Sequence, residues 1–276
     1  MNPVSPCPVG SISIGSGPLT IIAGPCLAES LDICAEVGEH VLRLCQQHGF
    51  HYVFKASFDK ANRTSGGSVR GFGMEEGLEI ISAVGSKLGV PTTTDIHLPE
   101  QAAPVAAAVD LLQIPAFLCR QSDLLEAAAG TGKAVNVKKG QFLSPQDTKN
   151  IVEKLRSFGA SGIMLTERGT TFGYNTLIVD MPGLETMRSF GVPVCFDATH
   201  SAQRPGGAGT ATGGVRESIP AMVRAALAVG VDALFLEIHP DPDRALSDAA
   251  TQWPLARAET LFAQIAAFDS ARRSLA

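Results

Sequence analysis

Short, continuous apolar runs alternate with amphipathic stretches along almost the whole chain. The runs are Leu19–Gly24, Tyr52–Lys55, Pro91–Asp95, Leu111–Ile114, Ala134–Lys138, Gly162–Thr166, Pro193–Asp197 and Ala233–Glu237. Each has the length of a strand and lacks the polar alternation of a sheet with one wet face, which is the pattern of parallel strands covered on both sides. Amphipathic segments near 31–48, 74–88, 99–108, 121–130, 147–158, 215–229 and 254–268 separate or follow them, and a further helical piece lies near 183–190. Residues 1–18, rich in Pro, Gly and Ser, read as an irregular or hairpin-like lead. Eight strands alternating with helices predict an α/β fold, a (β/α)8 barrel, with residues 1–276 forming a single catalytic domain. A doubly wound open sheet is the alternative, and the absence of a Gly-x-Gly-x-x-Gly turn after the first run argues against it.

Barrel closure gives the polar residues at the strand ends a common meaning. Cys26, Lys55, Asp95, Gln113, Lys138, Arg168, Asp197 with His200, and Glu237 stand at or just beyond the exits, and no entrance carries a comparable load. In a barrel all exits share one face, and active sites sit there. The asymmetry therefore predicts an enzyme.

Two constellations stand out among these residues. Lys55, Lys60, Asn62 and Arg63 follow the second strand, and Lys138 and Arg168 follow the fifth and sixth. Cations converging on one mouth call for a compensating anion, so a small substrate with phosphate and carboxylate groups fits, with Gln113 and Asn62 as neutral hydrogen-bonding groups. Arg120 follows the fourth strand. The second constellation is Cys26, His200, Glu237 and Asp248, a thiolate, an imidazole and two carboxylates competent for a divalent transition metal. Closure makes the first, seventh and eighth strands neighbours and so brings the four together. Taken singly each reads as an ordinary packing or surface residue. His239 is a bystander ligand candidate, and the remaining histidines and cysteines read as structural. The glycines at 206–209 and 213–214 suggest a flexible lid, with a phosphate cradle as the alternative.

Composition narrows the class. A net charge of -5 gives no global case for nucleic acid or membrane binding. No apolar run reaches the roughly 18 residues of a membrane span, and the first 20 residues lack the basic start and apolar stretch of a secretory signal. Six cysteines in a chain of this size do not form a disulfide framework. A reducing, cytoplasmic location is expected.

Several motifs resemble one family. They are Phe54-Lys55-Ala56-Ser57-Phe58-Asp59-Lys60-Ala61-Asn62-Arg63, Gln113-Ile114-Pro115-Ala116-Phe117-Leu118, Asn136-Val137-Lys138-Lys139, Phe172-Gly173-Tyr174-Asn175 and Asp197-Ala198-Thr199-His200. Together they resemble the 3-deoxy-D-manno-octulosonate 8-phosphate synthases (2-dehydro-3-deoxyphosphooctonate aldolases), from about Ile21 to the last helix. The resemblance implies a (β/α)8 barrel, a homotetramer, and a transferase condensing phosphoenolpyruvate with D-arabinose 5-phosphate to make a lipopolysaccharide precursor. It also implies one divalent metal per subunit (zinc, iron, manganese or cobalt) held by Cys26, His200, Glu237 and Asp248. In the metal-independent branch asparagine replaces the cysteine of Gly24-Pro25-Cys26, and Ser247-Asp248-Ala249-Ala250-Thr251-Gln252 is similar to the metal-dependent branch. Carried over by position, His200, Lys60, Lys138 and Cys26 are catalytic. Lys55, Lys60, Gln113, Lys138 and Arg168 hold phosphoenolpyruvate, with the Ala116 backbone near its phosphate. Asn62 and Asp95 meet the sugar hydroxyls, and Arg63 reaches the sugar phosphate from a neighbouring subunit. Thr64 stands where the family usually has serine, and Gly66-Gly67 replaces its usual Ile-His.

Three rival readings remain open. The sister enzyme acting on erythrose 4-phosphate typically carries Lys-Pro-Arg-Thr-Ser where this chain has Lys60-Ala61-Asn62-Arg63-Thr64-Ser65. A Schiff-base aldolase would use Lys55 or Lys138 as nucleophile. A metabolite-binding barrel would not catalyse at all.

Overall fold

In the computed structural model, which describes residues 3–62, 67, 69–208 and 211–275, the eight apolar runs become eight parallel strands. They are β1 (Thr20–Gly24), β2 (His51–Lys55), β3 (Thr92–Asp95), β4 (Leu111–Ile114), β5 (Ala134–Lys138), β6 (Ile163–Glu167), β7 (Val194–Asp197) and β8 (Ala233–His239). Each pairs with the next, and β8 also pairs with β1, so the sheet closes into a (β/α)8 barrel. Register at the seam aligns Glu237 with Gly24. That alignment brings the β1 exit, with Cys26 two residues on, beside Glu237.

Among the described residues eight helices of about two turns or longer surround the sheet, besides a single turn at Ala198–Ser201: α1 (Leu31–His48), α2 (Met74–Leu88), α3 (Ala102–Ala108), α4 (Ser122–Ala129), α5 (Thr148–Ser157), α6 (Met181–Arg188), α7 (Ile219–Val229) and α8 (Ala258–Ser274). The first shows how locally the sequence specifies them. The Ser30 side chain accepts a hydrogen bond from the Ile33 N–H, and Gly49 takes the left-handed conformation that ends the helix. Between these caps Cys34, Val37, Val41, Leu44 and Cys45 recur at helical spacing and are buried against the sheet.

The barrel has two apolar layers. The outer lies between strands and helices. The inner comprises Ile22, Val53, Leu111, Ala134, Met164, Cys195, Ala233 and Phe235 together with Cys7, Val9 and Ile14. The last three belong to a hairpin, Cys7–Val9 paired with Ile12–Ile14, which seals the entrance end of the barrel. The lead is therefore a plug of regular structure, and the open end is the exit face.

Three details differ from the sequence reading. The last helix runs Ala258–Ser274, beginning later and ending later than 254–268, because Leu255–Arg257 forms a separate 3₁₀ turn. The glycine-rich segment after His200 forms an antiparallel hairpin, Gln203–Ala208 with Ala211–Gly214. A second small pair, Thr170–Thr171 with Leu177–Ile178, projects after β6 and had no signature in the hydrophobic pattern. No helix among the described residues is long and apolar enough to cross a membrane.

Candidate active site

The exit face opens on a cavity of about 610 Å³. Its walls include Lys55, Lys60, Asn62, Asp95, Ala116, Lys138, Arg168, His200 and Asp248, all expected from the sequence. Cys26, Glu237 and Gln113 lie fully buried and are not among its wall residues. Arg120 does not join them. It lines a separate surface groove with Asp147, Asn150 and Lys154. Arg63 and Thr64 lie outside the described residues.

Three of the four ligand candidates, Cys26, Glu237 and Asp248, cluster together, and His200 borders two of them. Cys26 Sγ is 3.3 Å from Asp248 Oδ2, and ligand atoms of Cys26, Glu237 and Asp248 all lie within 4.8 Å of one another. His200 Nε2 is 3.7 Å from Glu237 Oε2 and 3.7 Å from Asp248 Oδ2. The imidazole is oriented from behind. Asp197 Oδ2 sits 2.8 Å from its Nδ1, and Asp197 Oδ1 accepts from the His200 N–H at 2.9 Å. A carboxylate against Nδ1 turns Nε2 toward the cluster, the arrangement usual for a metal-ligating histidine. His239 does not take part: its Nε2 lies 3.7 Å from Glu29 Oε2 and its Nδ1 accepts from the Asp241 N–H.

The donor set fits a divalent cation on two further counts. Among the described residues Glu237 Oε2 is buried without a hydrogen-bond partner, an arrangement that costs free energy unless something positive faces it. The Cys26 thiol is pushed well up, first by burial and then by Glu237 and Asp248, although Lys60 and Lys55 pull the other way. A bound cation would reverse that balance and leave a thiolate ligand.

The cations are held largely by the protein's own carboxylates. Lys55 Nζ donates to Glu237 Oε1 at 3.0 Å and lies 3.9 Å from Asp95 Oδ2. Lys60 Nζ donates to Ser57 Oγ at 2.9 Å and lies 3.8 Å from Glu237 Oε1. Lys138 Nζ donates to Asp197 Oδ2 at 2.7 Å and rests 3.9 Å from the centre of the Phe235 ring, a cation–π contact. Internal carboxylates thus supply part of the compensation that the sequence reading assigned wholly to a substrate. Arg168 differs. Its Nη2 donates to Gln203 Oε1 at 2.6 Å, and its buried Nη1 has no hydrogen-bond partner among the described residues.

These contacts set the charge states. Burial opposes the charge of Asp95, but Lys55, Lys60 and Lys138 outweigh it and hold the carboxyl well below the usual range. Asp197 is likewise depressed against burial by His200 and Lys138. Glu237 is depressed against burial by His200, Lys55, Lys60 and Lys138. For Lys60, burial disfavours the ammonium, but Cys26, Glu237, Asp95 and Asp248 raise it above the ordinary lysine value. Burial lowers Arg168 from the usual guanidinium value, with Asp197, Asp248, Glu167 and Glu237 opposing.

The sequence reading missed a buried hydrogen-bond relay beneath the cavity. Thr166 Oγ1 donates to Asn136 Oδ1 (2.7 Å), Asn136 Nδ2 to Gln113 Oε1 (3.0 Å), and Gln113 Nε2 to Asp95 Oδ1 (2.6 Å). Ser57 Oγ donates to Asp95 Oδ2 at 2.6 Å. An ionised Asp95 only accepts, so its charge fixes the direction of every bond in the chain. This places Gln113 as a support of Asp95. Thr166 stands inside an apolar run with no motif around it, Asn136 opens the motif Asn136-Val137-Lys138-Lys139 but carries no expected role there, and only a shared inward face connects the two. Gln141 and Gln203 in the cavity wall were missed for a similar reason: Gln141 lies in a loop and Gln203 opens the hairpin after His200, and the hydrophobic pattern gives the course of neither.

This architecture has recognisable relatives. The 2-dehydro-3-deoxyphosphooctonate aldolase of Dechloromonas aromatica (strain RCB) is 55% identical over 256 residues, covering 92% of each chain. The protein of the same name from Synechococcus sp. (strain ATCC 27144 / PCC 6301 / SAUG 1402/1) is 57% identical over 254 residues, covering 92% of this chain and 89% of its own. That of Cyanothece sp. (strain PCC 7425 / ATCC 29141) is 54% identical over 261 residues, with 94% and 96% covered. The model of the DAHP synthetase I family matches residues 3–272, from the plugging hairpin into the last helix, and the chain belongs to that family.

Proposed function

We propose that the chain condenses phosphoenolpyruvate with D-arabinose 5-phosphate and water, giving 3-deoxy-D-manno-octulosonate 8-phosphate and inorganic phosphate, a step in lipopolysaccharide precursor synthesis. The observation that carries this reading is the name shared by relatives more than half identical over nine-tenths of the chain. The cation-lined cavity suits two phosphorylated substrates.

In this reading Lys55, Lys60, Lys138 and Arg168 hold phosphoenolpyruvate, with Arg168 offering its unpaired Nη1. Ala116 supplies backbone near the phosphate. Asn62 and Asp95 face the sugar hydroxyls, and Arg63 and Thr64 serve the sugar phosphate. Carbon 3 of phosphoenolpyruvate attacks the aldehyde carbon of the open-chain sugar. Positive charge develops at carbon 2, water adds there, and the tetrahedral intermediate expels phosphate by carbon–oxygen cleavage. Holding the reactants in attack geometry contributes on the order of 7–11 kcal/mol. Lys60, protonated beside the carboxylates of Glu237, Asp95 and Asp248, stabilises negative charge on the reactants, and Lys138 is held beside Asp197 to do the same. A divalent metal on Cys26, His200, Glu237 and Asp248 would supply Lewis acidity toward the aldehyde or toward water. Zinc, iron, manganese and cobalt all suit the mixed donor set.

A homotetramer fits this reading. Phe142, Phe172 and Tyr174 are 58, 76 and 99% exposed on loops after β5 and β6, an apolar display more usual at an interface.

The test is phosphate release from phosphoenolpyruvate with arabinose 5-phosphate and, separately, erythrose 4-phosphate, each with chelator and with added metal. Turnover of the five-carbon sugar, lost on chelation, is expected. Preference for the four-carbon sugar would overturn the substrate assignment.

A further inference from the structure

The segment 247–252 carries one ligand candidate, Asp248, yet its most deeply buried side chain is that of Gln252, which is fully inaccessible. Gln252 Oε1 accepts from the Cys26 N–H at 3.1 Å, across 226 residues of sequence. Its Nε2 donates to the Ser247 carbonyl at 2.8 Å. One amide thus joins the backbone of the first ligand to the residue preceding the last.

The orientation of this amide follows from chemistry. A backbone N–H only donates and a carbonyl only accepts, so the oxygen must face Cys26 and the nitrogen must face Ser247. No apolar side chain satisfies either group, and asparagine is one methylene too short to keep both contacts from the same backbone.

The surroundings show why such a tie is needed. Asp248 has a φ of 48°, in the left-handed region that non-glycine residues rarely occupy, so the turn must be held by its neighbours. The Thr251 and Gln252 N–H groups both donate to the Asp248 carbonyl, at 3.0 and 3.1 Å. The residue after Gln252 is anchored in turn: Trp253 pairs with Ile238, the residue after Glu237. Gln252 therefore stands between three of the four ligand-bearing segments. Cys26 Sγ also approaches Ser247 Oγ at 3.0 Å, across the gap that the amide spans.

We propose that Gln252 is a positioning residue for the metal centre, fixing the separation of Cys26 and Asp248 through its two backbone hydrogen bonds. This rests on the metal reading above. Residues that orient ligands without touching the metal typically change affinity by about 10- to 100-fold when removed.

The experiment is a cobalt(II) titration of chelator-stripped protein, read by the thiolate-to-cobalt charge-transfer band and by competition with a chelator. Gln252→Met keeps the volume and loses both hydrogen bonds. The expected result is a folded protein, by circular dichroism, with cobalt bound about 10- to 100-fold more weakly and a diminished band. Should the methionine variant not fold, Gln252→Asn, which keeps a buried amide but spans only one contact, is expected to show the same weakening. Wild-type affinity and band in either folded variant, even with a lowered melting temperature, would overturn the proposal. A wild-type protein without the band would overturn the metal reading itself, and that result is read before any variant is made.

Discussion

Glu237→Gln tests the electrostatic logic of the site without reference to substrate. The Glu237 side chain is fully buried, and Lys55 Nζ, 1% exposed, lies 3.0 Å from its Oε1. Lys60 Nζ is 3.8 Å away. Glutamine keeps the shape and one acceptor oxygen but removes the charge. Among the described residues Lys55 then retains only Asp95, at 3.9 Å, as a carboxylate partner. Removing one member of a buried pair typically costs about 3–5 kcal/mol. The surviving acceptor and Asp95 place the expectation near the lower end, about 3 kcal/mol. For a chain of this size that corresponds to a fall of roughly 6–12 °C in melting temperature. The assay is urea unfolding of chelator-treated protein, so that metal does not contribute. It is run at pH 7 and again below pH 4. The sign follows from the depressed folded-state value of Glu237. Its stabilisation is present in full above the unfolded glutamate value of about 4.3 and is lost as pH falls through the folded value. The gap between wild type and variant is therefore wide at pH 7 and narrows in acid. Equal stabilities at pH 7, or a gap that widens on acidification, would refute the reasoning.

Three further outcomes are expected. Cys26→Asn should release phosphate from phosphoenolpyruvate and arabinose 5-phosphate in the presence of chelator, because a branch of the resembling family carries asparagine there; a folded but inactive variant under chelation would end that interchangeability. Gly24→Ala would drive a methyl group into the Lys55 carbonyl oxygen, and about 1–3 kcal/mol of destabilisation is expected in urea unfolding, whereas an unchanged midpoint would mean that β1 and β2 separate freely. Thr166→Val leaves Asn136 Oδ1 without its donor and should cost about 1–3 kcal/mol; because the relay ends on Asp95, KM for arabinose 5-phosphate should rise more than KM for phosphoenolpyruvate, and equal changes in both would separate the relay from the sugar.

The fold was legible because its signal is local and repeated. Eight apolar runs with the periodicity of strands buried on both faces, each followed by an amphipathic helix, admit few arrangements. The closed barrel follows the right-handed crossover of each βαβ unit. The strand bounds read from sequence lie within a residue or two of those observed. The exits carried a chemical load that the entrances lacked, so Cys26, Lys55, Lys138, His200 and Glu237 were readable as one set before any distance was known. The hairpins at 203–214 and 170–178 were less legible. Glycine and threonine in a loop specify no period, and their pairing depends on what the loop rests against.

What the sequence alone determined is the class of the fold, the face that bears the chemistry, and the residue types available there. Those depend on periodicity and on strand order, both written along the chain. The tertiary structure decided which of those residues meet. It separated Arg120 from the cavity, withdrew Gln113 beneath Asp95, matched the lysines to internal carboxylates, and joined Cys26 to Gln252 across 226 residues. Such contacts depend on side-chain direction and register between elements distant in sequence. Polar groups excluded from water take whichever partner the closed barrel brings within reach, and a linear pattern does not carry that geometry.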